Sequence, residues 1–182
     1  HSTKFRVTFN RTQERSAQLT RNNLTPYSGR MLHKSFDSQF PLLVHTDRCQ
    51  IVLSEEGLLA TFDLIDCYCP SPECYCYEVK LVVRGSDQIT YATISYGWKS
   101  PSFYRRRFGL DKKTTEMLTS GFLDPSDEQS KFSEVFLEPF SMMIRDPNFA
   151  NRIDKRYTKF KEAISTDRPS LTLPDTIVRL KP

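Results

Sequence analysis

Gln50-Ile-Val-Leu-Ser-Glu-Glu-Gly-Leu-Leu-Ala-Thr-Phe-Asp-Leu-Ile65 decides the fold class of this chain. Two β-rich runs, Gln50–Ser54 and Leu58–Ile65, flank Glu55-Glu-Gly57, and a glycine-bearing link of this length between such runs predicts a β-hairpin. Two more strands are predicted downstream. Glu78–Val83 ends at the turn Arg84-Gly-Ser-Asp87, and Ile89–Tyr96 alternates β-branched and aromatic residues. Upstream, Lys4–Phe9 also alternates and reads as a first strand or a segment joining a sheet edge.

The pattern changes after Gly97. Leu110–Leu118 reads as a short helix. Phe132, Val135, Phe136, Phe140, Met143 and Ile144 then recur at helical spacing, with Pro139 expected to kink or end that helix. Asp146-Pro147 has the form of an N-cap followed by proline at the first helical position. The next stripe is Phe149, Ile153, Tyr157, Phe160 and Ile164. Strands followed by helices, rather than alternating with them, predict an α+β domain in which an antiparallel sheet is backed by C-terminal helices. The single domain is expected over 1–165, β-rich over 1–96 and helical over 110–165, with an extended proline-bearing tail over 166–182. Between the first two strands, Arg11–Pro41 is polar and basic, with a weak helical signal around Thr12–Leu19, and Pro41–His45 is a short apolar run.

The chain has 182 residues, a formal charge of +4, 38% hydrophobic and 12% aromatic residues. This suffices for one cored domain and permits, without requiring, a nucleic-acid or acidic partner. No apolar run approaches the roughly 18 residues of a membrane span, so no membrane partner is expected. The chain begins at His1 rather than Met, which leaves open trimming or removal of a signal. A crowded, odd set of five cysteines points to a reducing, cytoplasmic location more than to a secreted disulfide framework.

Four of the cysteines fall in Cys67-Tyr-Cys69-Pro-Ser-Pro-Glu-Cys74-Tyr-Cys76, between the second and third hairpin strands. Two C-x-C pairs straddle a Pro-Ser-Pro turn, and thiolates gathered at that density suit a structural zinc ion, which takes four sulfur or nitrogen ligands. The expected ligands are Cys67, Cys69, Cys74 and Cys76, with His45 or Cys49 as replacements for Cys67 and His33 a further donor. The competing readings are cross-paired disulfides, 67–76 or 69–74, and free thiols. Adjacent cysteines two apart do not bridge comfortably.

The string Tyr68-Cys69-Pro-Ser-Pro72-Glu-Cys74-Tyr-Cys76-Tyr-Glu-Val79-x-Leu81 resembles a Y-C-x-x-P-x-C-x-C-x-x-V-x-L signature of uncharacterised bacterial proteins, some of which end in the SecA-type C-terminal zinc motif (SEC-C). Leu123-Asp-Pro125 through Gln129-Ser130-Lys131, with the helices that reach Tyr157-x-x-Phe160, is similar to a second part of those proteins. The resemblance spans roughly residues 50–165. It implies shared positions at Cys69, Cys74 and Cys76, and a family with no established activity. The SEC-C motif itself is absent, because no cysteine follows Cys76.

Two further constellations bear on function. Asp66, followed by Glu78-Val79-Lys80, resembles the PD-(D/E)-x-K nuclease signature, in which two carboxylates hold Mg²⁺ and a lysine orients water. Against it, no proline precedes Asp66, and a Glu and a Lys two apart are a common solvated strand pattern. Tyr96-Gly-Trp98-Lys99-Ser-Pro-Ser-Phe103-Tyr104-Arg105-Arg106-Arg107-Phe108 interleaves aromatics with positive charge and suits base stacking, phosphate contact or docking of an acidic protein. Cys49 and His45 form a conceivable nucleophile pair, more simply read as a buried cysteine near an exposed histidine. The sequence therefore favours a zinc-stabilised, non-enzymatic binding or scaffold module that uses Trp98, Lys99, Tyr104, Arg105, Arg106 and Arg107. The alternative is a Mg²⁺-dependent nuclease built on Asp66, Glu78 and Lys80.

Overall fold

The predicted hairpin forms the middle of the sheet. In the computed structural model, which describes residues 4–10, 33–43, 48–55 and 58–166, β3 (Arg48–Glu55) and β4 (Leu58–Tyr68) pair antiparallel with Ile51 opposite Phe62. β5 (Glu78–Gly85) follows on β4, with Asp66 opposite Leu81, and β6 (Thr90–Gly97) follows on β5. β1 (Lys4–Asn10) flanks β3, and the two-residue β7 (Phe122–Leu123) closes the other end. The short β2 (Lys34–Ser35) pairs with the far end of β4. The seven-stranded antiparallel sheet thus runs β1-β3-β4-β5-β6-β7, with β2 off that path.

Side chains of a strand alternate between faces, and here the alternation is strict: Val79, Leu81 and Val83 are fully buried on one face of β5. With Cys49, Ile51, Leu64, Tyr68, Ala92, Ile94 and Tyr96 they build the core face. Against it pack α1 (Phe36–Gln39), α4 (Leu137–Met143) and the long α5 (Pro147–Thr166). Every member of the last apolar stripe, Phe149, Ile153, Tyr157, Phe160 and Ile164, is buried, and Asp146 accepts from the Asn148 backbone N–H at the start of α5. Burying one such side chain contributes about 1.5–3 kcal/mol, so α5 is held mainly by this stripe.

Helices begin earlier than residue 110. α2 (Pro101–Phe108) is capped by Ser100, whose Oγ accepts from the Phe103 backbone N–H, and ends at Gly109 with φ 65°. α3 (Lys112–Ser120) is capped by Asp111. Both lie against the second face of the sheet at Gly97, where an added Cβ would stand 2.6 Å from the Tyr104 hydroxyl.

The first helical stripe needs correction. Residues 126–132 are turns and irregular backbone, Ser133–Phe136 is a 3-10 turn, and only Leu137–Met143 of this stretch is α-helical. Phe132 and Val135 of that stripe are exposed. Pro139 does not end α4, because in the first turn of the helix its missing N–H costs no helical bond. Pro41–Leu43 is a 3-10 turn with Leu42 exposed. The helix expected at Thr12–Leu19 and the tail beyond Thr166 lie outside the described residues.

Candidate functional site

The connection from β4 to β5 is held by α5 from above. Lys161 donates from Nζ to the carbonyls of Cys69 at 3.0 Å and Ser71 at 2.6 Å, and the Tyr157 hydroxyl donates to the carbonyl of Cys74 at 3.2 Å. Cys74 closes the turn by donating its N–H to the Ser71 carbonyl. The link folds back on itself as the prolines imply, and it brings the thiols of Cys69, Cys74 and Cys76 near enough to shift one another's ionisation. Burial opposes ionisation of Cys74, but the neighbouring thiols outweigh it and lower its pKa, whereas burial raises those of Cys69 and Cys76.

Cys67 does not join this trio. It lies within β4, between Ser35 and Lys80 of the flanking strands, with its thiol toward the Ile65 carbonyl at 3.9 Å. Burial and the nearby Asp66 push its pKa up to about 12. Cys49 sits in the core, and His45 lies outside the described residues. No disulfide joins any of the five cysteines. A structural zinc needs four donors around one centre. Among the described residues no group of three or more His, Cys, Asp or Glu side chains is arranged to hold a metal ion. The three neighbouring thiols are an incomplete set, and the four-cysteine cage expected from the spacing is not formed.

The nuclease-like residues are divided by the sheet. Asp66 stands opposite Leu81, so the two share a face, and Glu78 and Lys80 point to the other face. Asp66 is buried on the core side, accepting from the Tyr68 hydroxyl at 2.8 Å and Arg156 Nε at 2.7 Å. On the far face Lys80 meets Asp124 at 2.8 Å and Asp127 at 2.6 Å. Ser95 donates to Asp124 at 2.8 Å, and Gln129 donates its side-chain amide to the Thr93 carbonyl while accepting from the Thr93 N–H. These bonds clamp residues 124–130 onto β5 and β6. Burial, reinforced by the charge of Asp124, holds the Glu78 carboxyl above its usual range. This cluster is a brace between a loop and a sheet.

The basic-aromatic segment is part fold and part surface. Trp98 Nε1 and Lys99 Nζ each donate to Asp154 of α5 at 2.7 Å. Trp98 packs against Tyr157 and Tyr77, and Lys99 Nζ stands over the Tyr77 ring. Tyr104 is buried and donates its hydroxyl to the Tyr77 carbonyl at 2.6 Å. Tyr77 itself takes φ 51°, a left-handed conformation unusual for an aromatic residue and tolerated where neighbours fix it. Arg105, Arg106 and Arg107 stand in solvent on the last turn of α2, and Phe108 and Lys113 are exposed as well.

The sequence reading missed Asp154, Tyr157 and Lys161 as one working face. They recur at i, i+3 and i+7 on α5, a spacing that puts them on one side of the helix. Tyr157 was read as core alone. No family profile, curated protein or solved structure matches this chain. No helix among the described residues is long and apolar enough to cross a membrane.

Proposed function

We propose that this protein is a non-enzymatic binding module that docks an acidic protein segment on the end of α2. The observation that carries this reading is the split within one short helix. Tyr104 is hydrogen-bonded to the Tyr77 carbonyl, and the three residues after it, Arg105, Arg106 and Arg107, are exposed on the same short helix. A rigidly placed cationic cluster loses little conformational entropy when a partner binds. An acidic protein is favoured over single-stranded nucleic acid because Trp98 and Tyr104, the rings suited to base stacking, are committed to contacts inside the fold.

The zinc belongs to this proposal on three residues, Cys69, Cys74 and Cys76. It is supported by their proximity across the Pro70–Pro72 turn. A bound zinc would tie the β4–β5 connection together and add to folding stability. The nuclease reading loses support from the burial of Asp66 on the face opposite Glu78 and Lys80.

The test is fluorescence anisotropy with a labelled Glu/Asp-rich peptide and, in parallel, a labelled oligonucleotide. The peptide is expected to bind, to weaken with added salt, and to lose about tenfold in affinity when Arg105, Arg106 and Arg107 are all changed to Ala, at roughly 0.2–1 kcal/mol per exposed pair. Equal peptide affinity in the triple variant removes α2 from the reading. Tighter binding of the oligonucleotide overturns the choice of partner, and its cleavage in Mg²⁺ revives the enzyme.

A further inference from the structure

β4 outruns its neighbour β5. The two pair from Tyr68 to Phe62, and Phe62 stands opposite Gly85. There β5 turns away: the Gly85 N–H goes to the Ile89 carbonyl, and the Gly85 carbonyl takes the Gln88 N–H. On its other side β4 stays paired with β3 out to Leu58, which stands opposite Glu55. Leu58–Thr61 is therefore paired on one side and, among the described residues, has no strand on its β5 side.

The same segment is uncovered on both faces. All four residues are exposed, Leu58 at 79% and Leu59 at 72%. Phe62 and Leu64 face the core, where Phe62 meets Phe136 and Tyr91 edge-on. Alternation puts Ala60 and Leu58 on that face beyond its cover, and Leu59 and Thr61 on the opposite one. Sheets normally blunt an open edge with charge, proline or a bulge. Leu58–Thr61 carries no charge and no proline, and its register with β3 is unbroken.

Charge at one end gives this edge a polarity. Asp87 is exposed, and its carboxylate accepts from the Ile89 N–H and the Tyr91 hydroxyl. Neither donor is charged, so the negative charge stays in place. It lies where the open edge begins, because an added Cβ on Gly85 would stand 2.6 Å from Asp87 Oδ1. A strand that continued the line of β5 along Leu58–Thr61 would run antiparallel to β4 and would start beside Gly85 and Asp87. A second copy paired about a two-fold axis would instead bring the Glu55 end of its own hairpin toward Asp87, acid toward acid.

We propose that Leu58–Thr61 is a docking edge for an extended segment of a partner protein, which joins the sheet as a strand antiparallel to β4, with a basic residue at its leading end beside Asp87 and apolar residues opposite Leu59 and Leu58. Backbone hydrogen bonds along such an edge supply affinity, and alternate side chains supply selectivity. Opposed residues of an antiparallel pair share a face, so the incoming apolar residues meet one leucine on each face. This edge is separate from α2, and its partner is basic where that of α2 is acidic.

The experiment is an NMR titration of the isotope-labelled full chain with the peptide acetyl-Lys-Thr-Val-Ile-Gly-amide, read amide by amide. Saturable shifts are expected at Leu58–Thr61 and at Gly85–Gln88. Three changes should each weaken binding by about fivefold or more: glutamate for the peptide's lysine, methylation of the peptide nitrogens at its second and third residues, and Leu58→Asn with Leu59→Asn in the protein. Successive residues of a strand bond to opposite sides, so one of the two methyl groups must face β4. The two peptide changes leave the protein intact and need no folded variant. The triple α2 variant should bind this peptide as the parent does, which separates the edge from the docking surface on α2. Shifts that are absent or lie elsewhere overturn the proposal, as does equal binding after any one of the three changes. Protection of all four Leu58–Thr61 amides from hydrogen exchange in the free chain would show the edge filled by the chain itself. A mass that doubles with concentration, and no longer does so in the leucine variant, would show it filled by a second copy. Either result also overturns the assignment to a partner.

Discussion

Asp66 of β4 and Arg156 of α5 are ninety residues apart in the chain, and their side chains meet at 2.7 Å in the interior. The same guanidinium lies over the Phe36 ring at 3.8 Å and reaches Asp37. One arginine thereby joins the sheet, the short α1 and the long α5. Removing one member of a buried pair leaves the other charge uncompensated, which costs about 3–5 kcal/mol, whereas replacing both with well-packed neutral groups is often close to neutral. Arg156→Met should lower the unfolding free energy in urea by that amount, and adding Asp66→Asn should restore much of it. A single variant as stable as the parent would show that the pair is not what couples α5 to β4.

The brace on the opposite face predicts a pH dependence. Burial raises the Asp124 carboxyl, but the Lys80 ammonium and the hydrogen bonds from Ser126 and Ser95 outweigh it and hold it well below its usual range. A carboxylate depressed in the folded state stabilises above its unfolded pKa, near 4, and loses that contribution as pH falls toward the folded value. Asp124→Asn should therefore cost about 2 kcal/mol at pH 7, the scale of hydrogen bonds to a charged group, and progressively less below pH ~4. Glu78 carries the opposite sign. Its pKa is raised, so its ionisation opposes folding as pH rises through the folded value, and Glu78→Gln should stabilise the protein at pH 7. Thermal melts of both variants from acid to neutral pH check the two signs together.

Where local pattern determines structure, the sequence was readable. β5 and α5 carry their apolar residues at periods of two and 3.6, and those positions are buried. The helix expected from the spacing of Phe132, Val135 and Phe136 begins only at Leu137. What decides there is local polar bonding, the Asp124 turn that takes the Ser126 N–H and the Gln129 amide bound to Thr93. The start of α2 is legible in Ser100-Pro101 and its end in Gly109, signals of capping that a run of arginines does not alter. The division of the aromatic-basic segment was not legible. Trp98 and Tyr104 are withdrawn by Asp154 and Tyr77, partners supplied by the tertiary fold. The separation of Asp66 from Glu78 and Lys80 depends on the β4–β5 register, which a single sequence does not state.

The thiol trio gives a metal prediction with a clear division among the cysteines. If a donor outside the described residues, such as His45, completes the set, protein purified under reducing conditions should carry about one equivalent of zinc. Changing Cys69, Cys74 or Cys76 to Ser should each bring that below about half, whereas Cys49→Ser and Cys67→Ser should retain it. Chelation should lower the melting temperature of the parent, because metal bound only to the folded state adds to its stability. Zinc-free protein whose melting is indifferent to added zinc would leave the trio as a cluster of neighbouring thiols.

Asp154 provides the last test, because it holds the binding surface in place without belonging to it. Its carboxylate takes both Trp98 and Lys99 at 2.7 Å, which fixes the segment that enters α2 two residues later at Pro101. Burial raises its pKa, but Lys99 and Trp98 more than offset this and hold it below the usual range, so the anchor should loosen as pH falls through the acid range. Trp98 is the sole tryptophan of the chain, so its fluorescence reports the anchor directly. Asp154→Ala should shift that emission toward the red as the indole gains water. It should cost about 1–2 kcal/mol in stability, because the indole N–H loses its acceptor. The variant should also weaken acidic-peptide binding although Arg105, Arg106 and Arg107 are all still present. A red shift with unchanged peptide affinity would mean that the arginines act as a diffuse charge, and that the rigid placement of α2 contributes nothing to binding.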